Sequence, residues 1–254
     1  MRNGLKRRLR DGETVCAAWL ETGSPELAEI LVRCGWDTVV IDCEHGAAGL
    51  EDGLNLVRAV EAAGGDAVVR VPDGADATIK RALDRGARSL IVPMVNTPAM
   101  AAQVAAACRY PPVGTRGYAA SIVRASGFGA WADYGAEAND EVFLAAQIEH
   151  RDVLPHVAAI AGIPGIDMGF VGPWDLAGSM GRFEDPGHAD VARAIAGVEA
   201  DAASAGLPLG TIVGARGFGA LRDDGYRLIV GPSDVGLLVQ GARAAAAERD
   251  SALG

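Results

Sequence analysis

The chain has 254 residues, half of them apolar, and a formal net charge of −10. One large domain with its own core fits this length, and the acidic balance disfavours nucleic acid or an anionic membrane as partners. No apolar run is long enough to cross a membrane, and the basic start, residues 1–10, lacks the apolar segment of a signal peptide, so we expect a cytoplasmic protein.

Short β-branched segments alternate with longer alanine-rich segments along the chain, which is typical of a parallel sheet covered by helices. Several short segments are almost continuously apolar, as expected of strands that are buried on both faces. The predicted strands cover residues 15–20, 38–42, 67–71, 89–95, 142–148, 166–171, 209–213 and 227–230. This alternation predicts a single-domain (β/α)8 TIM barrel over residues 1–254, with an open doubly wound sheet as the alternative.

Helix starts are marked by the dipeptides Ser24-Pro25 and Thr97-Pro98. Each combines a capping side chain with a proline that suits the first helical turn. Gly206 is placed where a helix end is expected.

Two longer stretches, residues 110–140 and 178–190, interrupt the alternation. The strands of a barrel fix both ends of such an insertion, so it commonly serves as a lid or a subunit contact.

Functional groups in a barrel gather at the C-terminal ends of the strands. Glu149 follows the fifth predicted strand and Asp175 follows the sixth, so the two carboxylates are expected to face one point. Two such groups repel each other unless a cation lies between them, and oxygen ligands suit Mg²⁺ or Mn²⁺. The alternative is that each carboxylate caps a helix or pairs with an arginine.

An amide and a helix start accompany these carboxylates. Gln147 is two residues before Glu149 on one strand, so both side chains point to the same side. The segment Gly172-Pro173-Trp174-Asp175 reads as a helix start, whose free N–H groups suit an anion. A substrate carboxylate is a candidate for that position.

The second and third strands supply a histidine and an arginine. His45 follows the carboxylates Asp42 and Glu44, and an imidazole beside a carboxylate suits proton transfer; the alternative is a surface histidine that caps a loop. Arg70 lies in an apolar strand, where a charged residue is rarely unpaired. It either pairs with a carboxylate or receives an oxyanion.

Six segments together resemble successive blocks of the HpcH/HpaI aldolase family, within the wider citrate lyase group. They occur in the family's order and span essentially the whole chain: IDCEHG (41–46), VRVP (69–72), LIVPMV (90–95), RYPPVGTRG (109–117), QIE (147–149) and FVGPWDL (170–176). The resemblance implies a (β/α)8 barrel and a class II pyruvate aldolase that uses Mg²⁺, Mn²⁺ or Co²⁺. It also implies a homohexamer, a trimer of dimers in which partners exchange the last helix.

The resemblance further implies a role for each matching residue. Metal ligation falls on Glu149 and Asp175, the proton relay on His45 with Asp84, and stabilisation of the enolate on Arg70. The role of Asp84 rests on the resemblance alone, since the residue reads as an ordinary acid late in a helix.

The remaining implied roles concern the substrate and bound water. Asp42 and Glu44 would hold water in the outer shell of the metal. The residues that would contact the 2-oxo acid or the aldehyde are Gln147, Gly172, Pro173, Trp174 and Ile212. Trp174 stands where the family often has alanine or serine, so we expect its ring to narrow or reshape the acceptor end of the pocket.

We therefore expect cleavage of a 4-hydroxy-2-oxo acid to pyruvate, or a related 2-oxo acid, plus an aldehyde, and the reverse aldol addition through an enolate. A Schiff-base aldolase would need a lysine at a strand end, whereas Lys6 precedes the first strand and Lys80 lies in a predicted helix. Two alternatives stay open: a CoA-ester lyase of the citryl or malyl type, and a non-catalytic barrel that binds a small acid.

Overall fold

Eight parallel strands close into one barrel in chain order, with β8 pairing back onto β1. The computed structural model describes residues 2–254. The strands are β1 Val15–Leu20, β2 Thr38–Asp42, β3 Asp66–Arg70, β4 Ser89–Val92, β5 Phe143–Ile148, β6 Met168–Val171, β7 Leu209–Ile212 and β8 Leu228–Ser233. The predicted (β/α)8 barrel is confirmed, and the open sheet is wrong because the edge strands β1 and β8 pair with each other.

Helices separate the strands and pack around the barrel. They are α1 Gly4–Arg10, α2 Pro25–Arg33, α3 Leu50–Ala63, α4 Asp76–Asp84, α5 Pro98–Ala107, α6 Tyr134–Glu137, α7 Val157–Ala161, α8 Pro173–Ser179, α9 Ala189–Ala205, α10 Phe218–Asp223 and α11 Asp234–Leu253. Two 3-10 helices, Arg124–Ser126 and Arg151–His156, complete the set. Within residues 2–254, no helix has the length and apolar character needed to span a membrane.

The predicted helix boundaries are confirmed. The Ser24 side chain accepts the N–H of Leu27 at the start of α2, and Thr97 accepts the N–H of Met100 at the start of α5. Gly206 ends α9 in the left-handed region, at φ 71°, where a residue with a Cβ would be strained.

Helix α1 closes the N-terminal end of the barrel, which we call the floor. Leu5 and Leu9, one turn apart on α1, pack with inward-facing strand residues such as Val15 and Leu228. No helix was predicted for this basic segment, residues 4–10. The opposite end, where the strands finish, is the mouth.

The stretch 110–140 connects α5 to β5 and therefore lies at the floor, since helices return the chain to the strand starts. The hydroxyls of Tyr110 and Tyr134 lie 2.8 Å apart, and the Arg116 guanidinium lies over the Tyr110 ring at 4.4 Å. A lid over the mouth of its own barrel is excluded by this position. A subunit contact stays a prediction.

The C-terminal helix α11 presents unusual apolar exposure. Of its 20 residues only Asp234 is buried, and Val235, Leu238 and Val239 are exposed. Exposed apolar residues on one helix are typical of a surface that another chain covers. The exchange of this helix between chains stays a prediction.

Candidate active site at the mouth of the barrel

Strands β2 and β3 pair Asp42 with Arg70 in register. Nε and Nη2 of Arg70 donate to the two oxygens of Asp42 at 2.9 and 2.6 Å, and Nη1 lies 3.2 Å from Glu44. The guanidinium also lies over the Trp19 ring, 4.6 Å from its centroid. Burial by itself would raise the pKa of Asp42, but the hydrogen bonds and charge of Arg70 outweigh it and hold that pKa below its usual value. The structural pairing expected as one alternative for Arg70 is therefore present.

Asp42 also fixes the loop that follows β2. One of its oxygens accepts the backbone N–H groups of Glu44 at 3.0 Å and His45 at 3.2 Å. With both oxygens engaged by Arg70 and the loop, Asp42 positions these groups. The outer-shell water role that the resemblance implied for Asp42 stays a prediction.

Glu149 is a buried carboxylate without a cationic partner. It is 2% exposed; one oxygen accepts the Met94 N–H at 2.7 Å and the other accepts the side-chain amide of Gln147. In the described part of the chain it forms no ion pair with a basic side chain. Burial raises the pKa of Glu149 to about 7, and the charges of Asp175 and Glu44 add to the shift. The alternative that this residue pairs with an arginine is wrong.

Gly172 allows the end of β6 to pass close to Glu149. A Cβ at Gly172 would lie 2.8 Å from a carboxylate oxygen of Glu149 and 2.9 Å from its Cβ, which is closer than such atoms approach. Asp175 follows in the first turn of α8 and is exposed. Its negative charge contributes to raising the pKa of both Glu149 and Glu44. The predicted convergence of Glu149 and Asp175 is consistent with this mutual effect.

Met94 is a functional contact that the sequence analysis missed. It has a φ of 56°, in the left-handed region that non-glycine residues rarely adopt. Strand β4 ends at Val92, three residues before the predicted end, and the turn after Pro93 points the Met94 N–H at Glu149. Pro93 was the available signal, because proline often ends a strand.

The donor set fits a hard divalent cation. Three buried side-chain oxygens of the described residues lack a hydrogen-bond partner: Oε1 of Gln147, Oε2 of Glu44 and Oδ1 of Asn96. Gln147 and Glu44 both lie beside Glu149. No group of three potential ligands forms a complete site within residues 2–254. A pair of carboxylates that leaves positions for water and substrate oxygens is the pattern that Mg²⁺ accepts.

His45 lies at the rim of the mouth. Its side chain is 66% exposed, and Nε2 is 3.8 Å from a carboxylate oxygen of Glu44. Glu44 is partly buried, and burial raises its pKa while the charge of Arg70 opposes the shift. The loop amides held by Asp42 fix the backbone, and the imidazole remains accessible to a substrate.

Asp84 is not brought to His45 within one chain. It is the last of the nine residues of α4 and lies about 12 Å from the start of that helix near the mouth. At the floor it accepts a hydrogen bond from Arg116 at 2.7 Å. The expected His45–Asp84 pair does not form within a single chain, since helix α4 carries Asp84 to the opposite end of the barrel. A pair between two chains stays a prediction.

The remaining expected substrate contacts lie on the side of β6 and β7. Ile212 ends β7 and packs against the inward-facing core. Pro173 begins α8, and the neighbouring Trp174 is 56% exposed. These three residues border an apolar cavity of about 530 Å³ beside the mouth.

Comparison with known proteins finds one matching family. The model of the HpcH/HpaI aldolase/citrate lyase family matches residues 16–240. A relative named 2-keto-3-deoxy-L-rhamnonate aldolase, from Klebsiella pneumoniae, is 42% identical over 193 residues, which are 76% of this chain and 72% of the relative.

Solved structures show the same likeness. An HpcH/HpaI aldolase/citrate lyase family protein from Burkholderia cenocepacia J2315 has a TM-score of 0.91 and 40% identity, covering 98% of this chain and 99% of the other. A structure named citrate synthase SbnG has a TM-score of 0.86 and 27% identity over 97% of each chain.

Proposed function

The chain belongs to the HpcH/HpaI aldolase/citrate lyase family and is an aldolase-type lyase, and from this premise we propose its reaction. It cleaves a 4-hydroxy-2-oxo acid to pyruvate or a related 2-oxo acid plus an aldehyde, and it catalyses the reverse addition. The observation that carries the proposal is the buried carboxylate of Glu149, which has no basic partner in the described chain and is flanked by Asp175. Such a surplus of negative charge favours a bound cation.

Glu149 and Asp175 would hold a divalent ion, Mg²⁺, Mn²⁺ or Co²⁺. When bound, the ion supplies Lewis acidity that makes the carbon next to the keto group more acidic. Gln147 and the first-turn N–H groups of Trp174 and Asp175 would orient the 2-oxo acid, because amide donors at a helix start bind a carboxylate.

Arg70 would stabilise the enolate, and His45 would transfer the proton. During cleavage the bond between C3 and C4 breaks, and its electron pair stays on the 2-oxo acid fragment as an enolate. The guanidinium of Arg70, held by Asp42, stabilises that charge. An imidazole nitrogen of His45 takes the proton of the 4-hydroxyl group, directly or through one water. His45 would then return this proton, directly or through one water, to the enolate carbon, which releases the 2-oxo acid and restores the neutral imidazole.

Asp84 would take part only in an oligomer. We propose a homo-oligomer, the hexamer implied by the resemblance, in which Asp84 of one chain lies beside His45 of another. The floor position of Asp84 and the exposed apolar side chains of α11 support this arrangement. Co-expression of His45→Ala and Asp84→Asn chains should restore activity that each variant alone lacks. No recovery in verified mixed oligomers would overturn this role.

The lysines argue against Schiff-base chemistry. Lys6 lies in α1 at the floor and donates to the Val142 carbonyl at 2.6 Å, and Lys80 lies in the outer helix α4. They are the only lysines of the sequence, so none reaches the mouth.

Exchange of the methyl protons of pyruvate in deuterated water tests the proposal directly. We expect rapid exchange by NMR with Mg²⁺, Mn²⁺ or Co²⁺, none after exhaustive chelation, and recovery when the metal is restored. Exchange that survives chelation without detectable metal would exclude the class II mechanism. Binding without exchange would identify a non-catalytic barrel, and turnover restricted to CoA esters would favour the alternative lyase.

A further inference from the structure

We propose that the cavity beside the mouth is a pocket for the apolar substituent of the acceptor aldehyde. This inference rests on the proposed function and specifies its substrate class. The cavity measures about 530 Å³, within the range of sites that enclose small organic ligands. It lies at the end of β7, beside the helices α8, α9 and α10, and its apolar lining includes Trp174, Ile195, Ala196 and Leu221.

The cavity adjoins the candidate active site. Pro173, Trp174 and Ile212 line it, and Trp174 directly precedes Asp175 in the first turn of α8. The side chains assigned to the metal and to proton transfer lie outside its lining. A substrate with its 2-oxo acid end at Glu149 can therefore extend its far end past Trp174 into this space.

The charged residues of the lining are already paired. Arg216 contacts Glu199 at 2.7 Å and Asp224 at 2.8 Å. The hydroxyl of Tyr226 also donates to Glu199, at 2.7 Å. These ion pairs leave few free donors or acceptors for ligand hydroxyls.

The other polar group of the lining is satisfied as well. The Thr211 hydroxyl donates to the carbonyl of Val171 at 3.0 Å. A polyhydroxylated chain would lose hydrogen bonds with water on entering such a pocket and regain few of them. An alkyl or aryl substituent would lose none and would cover the half-exposed indole of Trp174.

Graded filling of the cavity tests the proposal. Ala196 is exposed on α9 and lines the space, so Ala196→Leu and Ala196→Trp reduce the cavity without disturbing the core. The measurement is the ratio of kcat/KM for hexanal to kcat/KM for acetaldehyde in aldol addition to pyruvate. We expect the wild-type ratio to exceed one, and to fall progressively in the two variants, by about 10-fold or more with tryptophan.

Phe183→Ala is the matched control, because Phe183 is an apolar residue with 81% exposure that lies outside the lining. It should keep the wild-type ratio. Glyceraldehyde, which carries hydroxyl groups, should gain nothing from the pocket and should respond to Ala196→Trp no more than acetaldehyde does.

Pyruvate proton exchange, measured in every preparation without aldehyde, separates the two proposals. Its absence from the wild-type protein overturns the proposed function. If exchange is present but Ala196→Trp leaves the hexanal ratio unchanged, the pocket assignment alone is overturned. The same unchanged ratio with a reduced oligomeric mass would assign the cavity to helix α11 of a second copy and would also overturn it.

Discussion

The two ends of the barrel differ in how their carboxylates are paired with basic side chains. At the floor, basic and acidic side chains pair locally in partly exposed positions: Lys6 contacts Asp167 at 3.1 Å, and Arg8 contacts Glu13 at 2.6 Å.

At the mouth, the guanidinium of Arg70 pairs with Asp42 and Glu44, whereas Glu149 and Asp175 form no ion pair with a basic side chain among the described residues. At the floor, Arg8 also lies 3.2 Å from Asp37 and 3.6 Å from Asp66, so these carboxylates have a basic side chain beside them. A buried carboxylate without a basic partner, such as Glu149, lowers stability, and its position at the mouth indicates that this end of the barrel is arranged for a ligand.

Removal of the one basic group at the mouth should have the largest effect. Arg70→Met leaves Asp42 buried without its partner, and we expect a loss of about 3–5 kcal/mol in the free energy of unfolding. Aldol cleavage should fall to background as well. Urea unfolding with Arg81→Met as the control measures this, because Arg81 pairs with Glu51 at the exposed surface. Wild-type stability of Arg70→Met would show that the buried pair contributes little.

His45→Ala should lower turnover about 10²–10⁴-fold, since a positioned acid or base is lost. The bound metal should persist at wild-type stoichiometry, because His45 is assigned proton transfer. Elemental analysis and steady-state kinetics measure both quantities, with His156→Ala as the control. Loss of the metal together with activity would make His45 a ligand.

Glu149 should give the chelated protein a distinctive pH dependence. Its pKa is raised by burial from 4.5 to about 7, so the folded state holds this proton more tightly than the unfolded state does. The stability from the protonated group is complete below about pH 4.5 and is lost as the pH rises through 7. Thermal unfolding of chelated wild-type protein should show this loss, and Glu149→Gln or added Mg²⁺ should remove it. Identical pH profiles for wild type and Glu149→Gln would contradict the assignment.

Removal of an ion pair at the floor should have the smallest effect on the free energy of unfolding and on activity. The Lys6–Asp167 pair is about one quarter exposed, and such pairs contribute about 1 kcal/mol or less. Lys6→Met should therefore lower the unfolding free energy by no more than this and leave pyruvate proton exchange intact. Loss of exchange in a folded Lys6→Met protein would show that the two ends are coupled.

Strand positions were predictable, whereas several strand ends were not. The apolar runs located all eight strands because each is buried on both faces. Strand β4 ends at Val92 rather than at residue 95, since Met94 adopts a left-handed conformation. Strand β8 extends to Ser233, three residues beyond the prediction, where it pairs with Trp19 after a shift in register. Such local irregularities leave little trace in an apolar pattern.

The candidate site was predictable where it depends on side chains at strand ends. Glu149 and Asp175 follow neighbouring strands, and barrel geometry alone indicates that they approach each other. The contact from Met94 was missed because a backbone N–H has no side-chain signature. The pairing of Asp84 with His45 stays a prediction, because a family motif does not say whether two residues that meet belong to the same chain.

The helix that closes the floor has a kinetic consequence. With Leu5 and Leu9 occupying the N-terminal end of the barrel, reactants and products share a single passage. In the proposed arrangement the 2-oxo acid lies beneath the aldehyde, so the aldehyde leaves first and cleavage follows an ordered sequence. Pyruvate should then inhibit competitively against the cleaved substrate, whereas the aldehyde should inhibit noncompetitively.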